Sequence, residues 1–272
     1  MRRYPPLESV DESTGVLDGG HLWLQEYVTG PILGFSMDGS GMLTFGIDGQ
    51  PLDVVPPSLR RSVDYVRGRI DRDRLRSGVE DVSEFVFFGI ATRNEGVVYD
   101  WEALPPFLGL DIWAAGPDRF VSPDVCERVF DSIGLSPLPA FRKEVPTHSF
   151  DPESYEVPSS HWRDGSAIGV VVRNKTGDRA LLLDSSLESP DPPRNSGENG
   201  IETNLDRGLR SVVGHLDGTM QSLDADVVAE RLFERIARAE YETYRSELEN
   251  EPDRLRAEVG EAVRREMSHP RE

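Results

Sequence analysis

Apolar positions run together or alternate in short stretches over the first two thirds of the chain, and recur at helical spacing over the last third. The stretch from His21 to Val28 predicts a strand. Ile32 to Met37 and Met42 to Ile47 predict a hairpin closed by Asp38-Gly39-Ser40-Gly41, whose glycines permit positive φ. Leu59, Val63, Val66 and Ile70 form one apolar stripe of a helix opened by Pro56-Pro57-Ser58, with Arg60, Arg61, Arg67, Arg69 and Arg72 on its other face. Phe85 to Gly89, Gly96 to Asp100 and Phe107 to Trp113 predict three more strands. A helix begun by Ser122-Pro123-Asp124 carries Val125, Val129 and Ile133, stops at Gly134 and gives way to a proline loop. Gly165 to Asn174 and Arg179 to Leu183 predict strands joined by the turn at Lys175-Thr176-Gly177-Asp178.

Residues 186–205 are rich in proline, serine, asparagine and glycine without periodicity, which predicts a flexible linker. Beyond it, Asp224 or Asp226 begins a helix with Val228, Leu232, Ile236 and Ala239 on one face, and Pro252 starts another with Leu255, Val259 and Val263. The pattern gives an α+β domain over residues 1–185, the linker, and a helical region over 206–272, with no internal repeat. That helical region reads either as a cap on the main domain or as a hairpin for self-association or a protein partner.

The charges alter this picture. There are 49 acidic and 30 basic residues, a net of -19, and lysine appears only at Lys143 and Lys175. Such a surface stays hydrated and screened in high salt, so a halophile's protein is expected, the alternative being an acidic protein from an arginine-rich, high-GC genome. It opposes whole-surface attraction to nucleic acid and leaves only a local arginine groove for RNA. Cys126 is the single cysteine, which excludes an internal disulfide, and it falls on the apolar face of a helix as a packed thiol. No apolar run approaches membrane-spanning length and the N-terminus has no apolar core of a signal peptide, so a cytoplasmic protein without membrane contact is expected. His21, His148, His161, His215 and His269 have no metal-ligand spacing, and neither a phosphate-loop motif nor a G-x-S-x-G elbow occurs; His161-Trp162 reads as a packed aromatic with an exposed imidazole beside the strand at Ile168.

Five short motifs, taken in order over roughly residues 4 to 185, resemble the ATP-dependent RNA ligase family of covalent nucleotidyltransferases. Leu24-Gln25-Glu26-Tyr27-Val28-Thr29-Gly30 is similar to the family's K-x-D-G segment, with Tyr27 at the position of the lysine that attacks ATP. Phe88-Gly89, Tyr99-Asp100 followed by Leu104-Pro105-Pro106-Phe107, and Leu110-Asp111-Ile112-Trp113 resemble the next three, with Ile90 where a ribose-binding glutamate would stand. Ile168-Gly169-Val170-Val171-Val172-Arg173-Asn174 resembles E-G-V-V-x-R-N with Ile168 in place of its glutamate, and leucines after Arg179 replace the lysines that grip triphosphate.

The resemblance implies antiparallel sheets around a cleft, with Tyr27, Phe107, Asp111 and Ile168 around it. Its nucleotide-pocket candidates are Glu26, Tyr27, Gly30, Phe107, Asp111, Ile168, Arg173 and Arg179, with no metal ligand. The replacements imply a module that lacks lysine adenylylation and binds nucleic acid or a protein partner, needing no cofactor. The alternative is a divergent, active RNA ligase that uses ATP and Mg.

Overall fold

The computed structural model describes residues 1–12, 15–184 and 224–268. Two antiparallel sheets make up most of it. β1 (His21–Glu26) lies inside the first sheet, between β8 (Ala140–Pro146) and β9 (Gly169–Asn174), and β10 (Arg179–Leu183) completes the order β10-β9-β1-β8. The second sheet runs β4-β3-β2-β5-β6-β7 and is built from β2 (Ile32–Met37), β3 (Leu43–Ile47), β4 (Gln50–Pro51), β5 (Phe85–Ala91), β6 (Phe107–Ala114) and β7 (Arg119–Phe120). With the helices below, these sheets make the α+β fold the apolar pattern implies.

Alternation along β1 divides its residues between two faces. Leu22 and Leu24 join Val145, Val170, Val172 and Ala180 in one apolar cluster. Trp23 and Gln25 take the other face, where Gln25 meets Arg173 and the carbonyl of Leu138. In the second sheet, Phe35 stacks on Phe87 at 4.9 Å, and Phe107 and Phe130 complete an aromatic core. The β2–β3 turn closes because Asp38 Oδ1 accepts from the Ser40 hydroxyl at 2.6 Å and the Met42 amide at 3.0 Å, while Gly41 takes φ +90°.

Helix α1 (Pro57–Arg69) buries Leu59, Val63 and Val66, and the buried Ile70 follows it. α2 (Arg72–Ser77) is capped by Asp71, whose carboxylate accepts from the Arg74 amide at 2.9 Å. α3 (Pro123–Ser132) turns inward Cys126 and Phe130, with Ile133 after it, while the predicted stripe residues Val125 and Val129 are half-buried. The buried face is rotated by one position because Phe130, the bulkiest apolar residue of α3, fills the space over Gly109, where a Cβ would lie 2.4 Å from its ring.

Two strand expectations need correction. Residues 96–100 form no strand: Gly96 takes φ +90° and donates to Asn94 Oδ1 at 2.9 Å, and Asp100 donates its amide to the Trp162 carbonyl at 2.6 Å, so local and loop partners replace a ladder. The converse case is β8, a strand that the apolar pattern does not predict and that carries Lys143. Its side chain reaches Glu127 Oε2 at 2.6 Å and lies over Trp23 at 4.9 Å.

The chain divides into two compact units, the first comprising Met1–Val55, Ser62–Thr92 and the segment from Val98 through the end of β10. The second gathers the described residues 224–268 with Pro56–Arg61 and Arg93–Val97. Its helices are α4 (Ala225–Ala239), α5 (Arg245–Asn250) and α6 (Pro252–Ser268), packed around Val228, Leu232, Phe233, Ile236 and Val259. Asp224 caps α4, and Asn94 covers its other end, donating from its amide to the Arg238 carbonyl and from Nδ2 to the Ala239 carbonyl, both at 2.8 Å. Arg60 pairs with Glu230 at 2.6 Å within this unit. The predicted linker over 186–205 lies outside the described residues. Among the described residues no helix is long and apolar enough to cross a membrane.

Candidate functional site

The end of β1 meets the start of β9. Tyr27 donates its amide to the Gly169 carbonyl at 3.0 Å, which places Tyr27, just past β1, and Ile168, just before β9, at the same end of the first sheet. Tyr27 borders a cavity of about 320 Å³ together with Tyr4, Gly30, Ile32, Ile47 and Phe88. Arg2 and Asp48 are the charged side chains that line it. Ile90, at the expected glutamate position, is fully buried and pairs with Ile32 across the ladder.

Gly30 borders the same cavity, but its lack of a side chain serves the chain itself. It takes φ +143°, and a Cβ there would fall 2.1 Å from the Ala91 carbonyl oxygen. The close approach that glycine permits is made by β5, not left open for a ligand.

Phe107 and Asp111 do not border the cavity. Phe107 is fully buried in the aromatic core, with its ring against Gly89, so no face of it is open to a nucleobase. Asp111, also fully buried, is the centre of an ion cluster. Its Oδ1 pairs with Arg173, and its Oδ2 pairs with Arg179 at 2.9 Å and accepts from the Tyr4 hydroxyl at 2.6 Å. Arg173 further donates to Gln25 Oε1 at 3.0 Å and to the Leu110 carbonyl at 2.7 Å. The Arg179 guanidinium lies 3.7 Å from the ring centroid of Phe120 and donates to the Gly177 carbonyl. Burial, reinforced by Asp111, pushes the Tyr4 phenol well above its ordinary range, so it remains a neutral donor. Two arginines among the nucleotide-pocket candidates are thus held inside by one carboxylate.

Cys126 belongs to this cluster, with Sγ 3.7 Å from Arg173. Burial raises its thiol to about 11 and Asp111 adds to the rise, while Arg173 opposes it. The thiolate is the reactive form, so Cys126 is expected to resist a thiol reagent at pH 8 in the folded protein and to react at once in denaturant. Rapid labelling of the native chain would place the thiol in solvent.

Glu26 faces away from Tyr27, as alternation along the strand requires. Its buried carboxylate accepts from the Ser160 hydroxyl at 2.5 Å and from the His161 amide at 3.0 Å, and His161 Nδ1 lies 2.5 Å away. Phe141 stacks on the imidazole at 5.4 Å with an interplanar angle of 22°. Nearby, Tyr99 hydrogen-bonds through its hydroxyl to the Thr29 amide at 3.3 Å, and burial raises its phenol. The sequence marks His161-Trp162 but not its pairing with Glu26, 135 positions away; a buried acid in a strand that needs a partner is the one available signal. Among the described residues no group of three or more His, Cys, Asp or Glu is arranged to hold a metal.

The geometry defines an α+β protein with a small, weakly charged cavity at the end of β1 and a buried ion cluster beneath its second sheet. Among solved structures, this chain is similar to an archaeal ATP-dependent RNA ligase, at 13% identity and a TM-score of 0.48, over 100% of this chain and 67% of that one. It is also similar to mutants of the Naegleria gruberi RNA ligase solved with ATP and Mn, at 11% and 12% identity and TM-scores of 0.48 and 0.49, over 68% of this chain. The chain spans 57% of the length of those Naegleria structures. No family model matches the sequence, and no curated protein matches it.

Proposed function

We propose that this chain is a ligase-like nucleotidyltransferase module that forms no covalent nucleotide and works by binding, with RNA ends as its ligand. The observation that carries the reading is the cavity beside Tyr27, whose charged lining is Arg2 and Asp48. A triphosphate with its divalent metal needs several cations or backbone donors and at least one acidic ligand for the metal. Ile90 and Ile168 offer neither, and Arg173 and Arg179 are held by Asp111. The residues present do not fit ATP and Mg.

RNA contact falls to a local cationic stretch. On α1, Arg60, Arg61 and Arg67 pair with Glu230, Glu234 and Asp64. Arg69, Arg72 and Arg74, which follow along the end of α1 and the start of α2, make no ion pair with any described residue. Three phosphate contacts on an acidic protein give weak, salt-sensitive binding.

Incubation with α-labelled ATP and Mg²⁺ or Mn²⁺, followed by denaturing electrophoresis, is expected to leave the protein unlabelled, and Tyr27→Lys is expected not to restore labelling. Fluorescence anisotropy with a 5′-phosphorylated RNA is expected to show binding that weakens on Arg69→Gln/Arg74→Gln. A covalent label lost in Tyr27→Phe would put an active ligase in place of this reading; absent RNA binding at low salt would leave the protein-partner form of it.

A further inference from the structure

A second cavity, of about 580 Å³, opens beside the end of β1 and is lined by Tyr99, Asp100, His161, Trp162, Arg163 and Asp164. Its chemistry converges on one imidazole. A carboxylate at Glu26 accepts, which selects the tautomer of His161 with its proton on Nδ1 and the lone pair on Nε2. Stacking on Phe141 and the bond to a buried carboxylate fix the ring's plane and tautomer, while its side chain stays 46% exposed. A surface histidine with no other duty does not need a wholly buried carboxylate as its anchor.

The charges nearby are unusual for this chain. Arg163 donates to the Ser166 carbonyl at 3.2 Å and has no carboxylate within ion-pairing distance among the described residues. It stands two positions from the imidazole and adjoins Trp162, whose ring offers a flat apolar surface. Asp100 is turned to its own loop, where Oδ1 accepts from the amides of Glu102 at 3.1 Å and Ala103 at 3.2 Å. Asp164 is an exposed carboxylate on the same cavity, which disfavours polyanions and leaves room for a small ligand with one negative charge.

We propose that this cavity hydrolyses small carboxylic esters bearing one anionic group, with His161 as general base, Glu26 as its positioning residue and Arg163 as the anion contact. His161 Nε2 takes a proton from water as the water oxygen adds to the ester carbonyl. The same proton passes to the alkoxide or phenoxide as the acyl–oxygen bond breaks, giving a carboxylic acid and an alcohol without any redox change. The site is separate from the cavity at Tyr27 and stands whether or not the protein binds RNA.

Phenyl acetate and 4-carboxyphenyl acetate, a neutral and an anionic ester of the same acid, test the proposal by chromatography of the released phenols. Saturable turnover of the anionic ester is expected, falling about 100-fold in His161→Gln and unchanged in His148→Gln. Arg163→Gln is expected to raise KM for the anionic ester alone, with kcat held. Long-range ¹H–¹⁵N spectra of the unmodified protein are expected to show the His161 ring protonated on Nδ1, a readout that needs no substituted protein to fold. Equal turnover in His161→Gln, hydrolysis no faster than free imidazole at the same concentration, or an Nε2-protonated ring would each overturn the proposal.

Discussion

Replacing Asp111 with alanine is expected to destabilise the first unit by about 3–5 kcal/mol, the cost of removing one partner from a buried ion pair. Arg173 and Arg179 are 3% and 8% exposed. Without Asp111 both guanidiniums would remain in a site where water cannot replace the lost carboxylate, and the Tyr4 hydroxyl would lose its acceptor. Neutralising the whole cluster should cost less than breaking it: Asp111→Leu combined with Arg173→Met and Arg179→Met is expected to recover much of the loss, since apolar groups of similar volume need no counter-charge. Urea unfolding followed by intrinsic tryptophan fluorescence measures both. A loss below about 1 kcal/mol for Asp111→Ala, the range of an exposed pair, would mean that solvent reaches these charges.

Gly30→Ala carries the next largest expected effect. A side chain held in a glycine-only backbone region costs about 1–3 kcal/mol from conformation alone, and the contact with the Ala91 carbonyl forces either β5 or the end of β1 to move. The damage should appear as a lowered thermal midpoint. Gly39→Ala is the matched control, since a Cβ there meets nothing within 4 Å. Equal thermal midpoints for the two variants would show that the turn after β1 is not tightly closed against β5.

Much of the fold is legible in the sequence, because its signals are local. The hairpin at Asp38 to Gly41, the stripe of Leu59, Val63 and Val66, the edges of β10 and the N-terminal cap at Asp224 each depend on residues a few positions apart. β8 is missed because Arg142, Lys143 and Glu144 break any apolar alternation; it becomes a strand through pairing with β1, more than a hundred residues earlier. Residues 96–100 are misread for the opposite reason, since Val97, Val98 and Tyr99 have strand character but no partner strand, and Val98 remains 74% exposed.

The candidate site was less legible than the fold. Sequence order brought Tyr27 and Ile168 to one place and marked Asp111, Arg173 and Arg179 as notable, but could not say that the arginines would turn to the aspartate instead of a ligand. Face assignment was the other gap. One step of alternation separates Glu26 from Tyr27 and sends Tyr27 to one cavity and Glu26 to the histidine that lines another, a distinction that depends on what lies on each side of β1.

The placement of β1 also bears on how the chain is made. The second sheet draws all its strands from residues 32–120, so it can assemble as that stretch leaves the ribosome. β1 is translated before all of them, yet both of its neighbours, β8 and β9, come after. At ordinary synthesis rates Leu22, Trp23 and Leu24 wait on the order of ten seconds for the strands that cover them. A nascent chain of this protein therefore carries an unmated apolar strand while every strand of the second sheet is made, and the first sheet closes only after the second has all its strands.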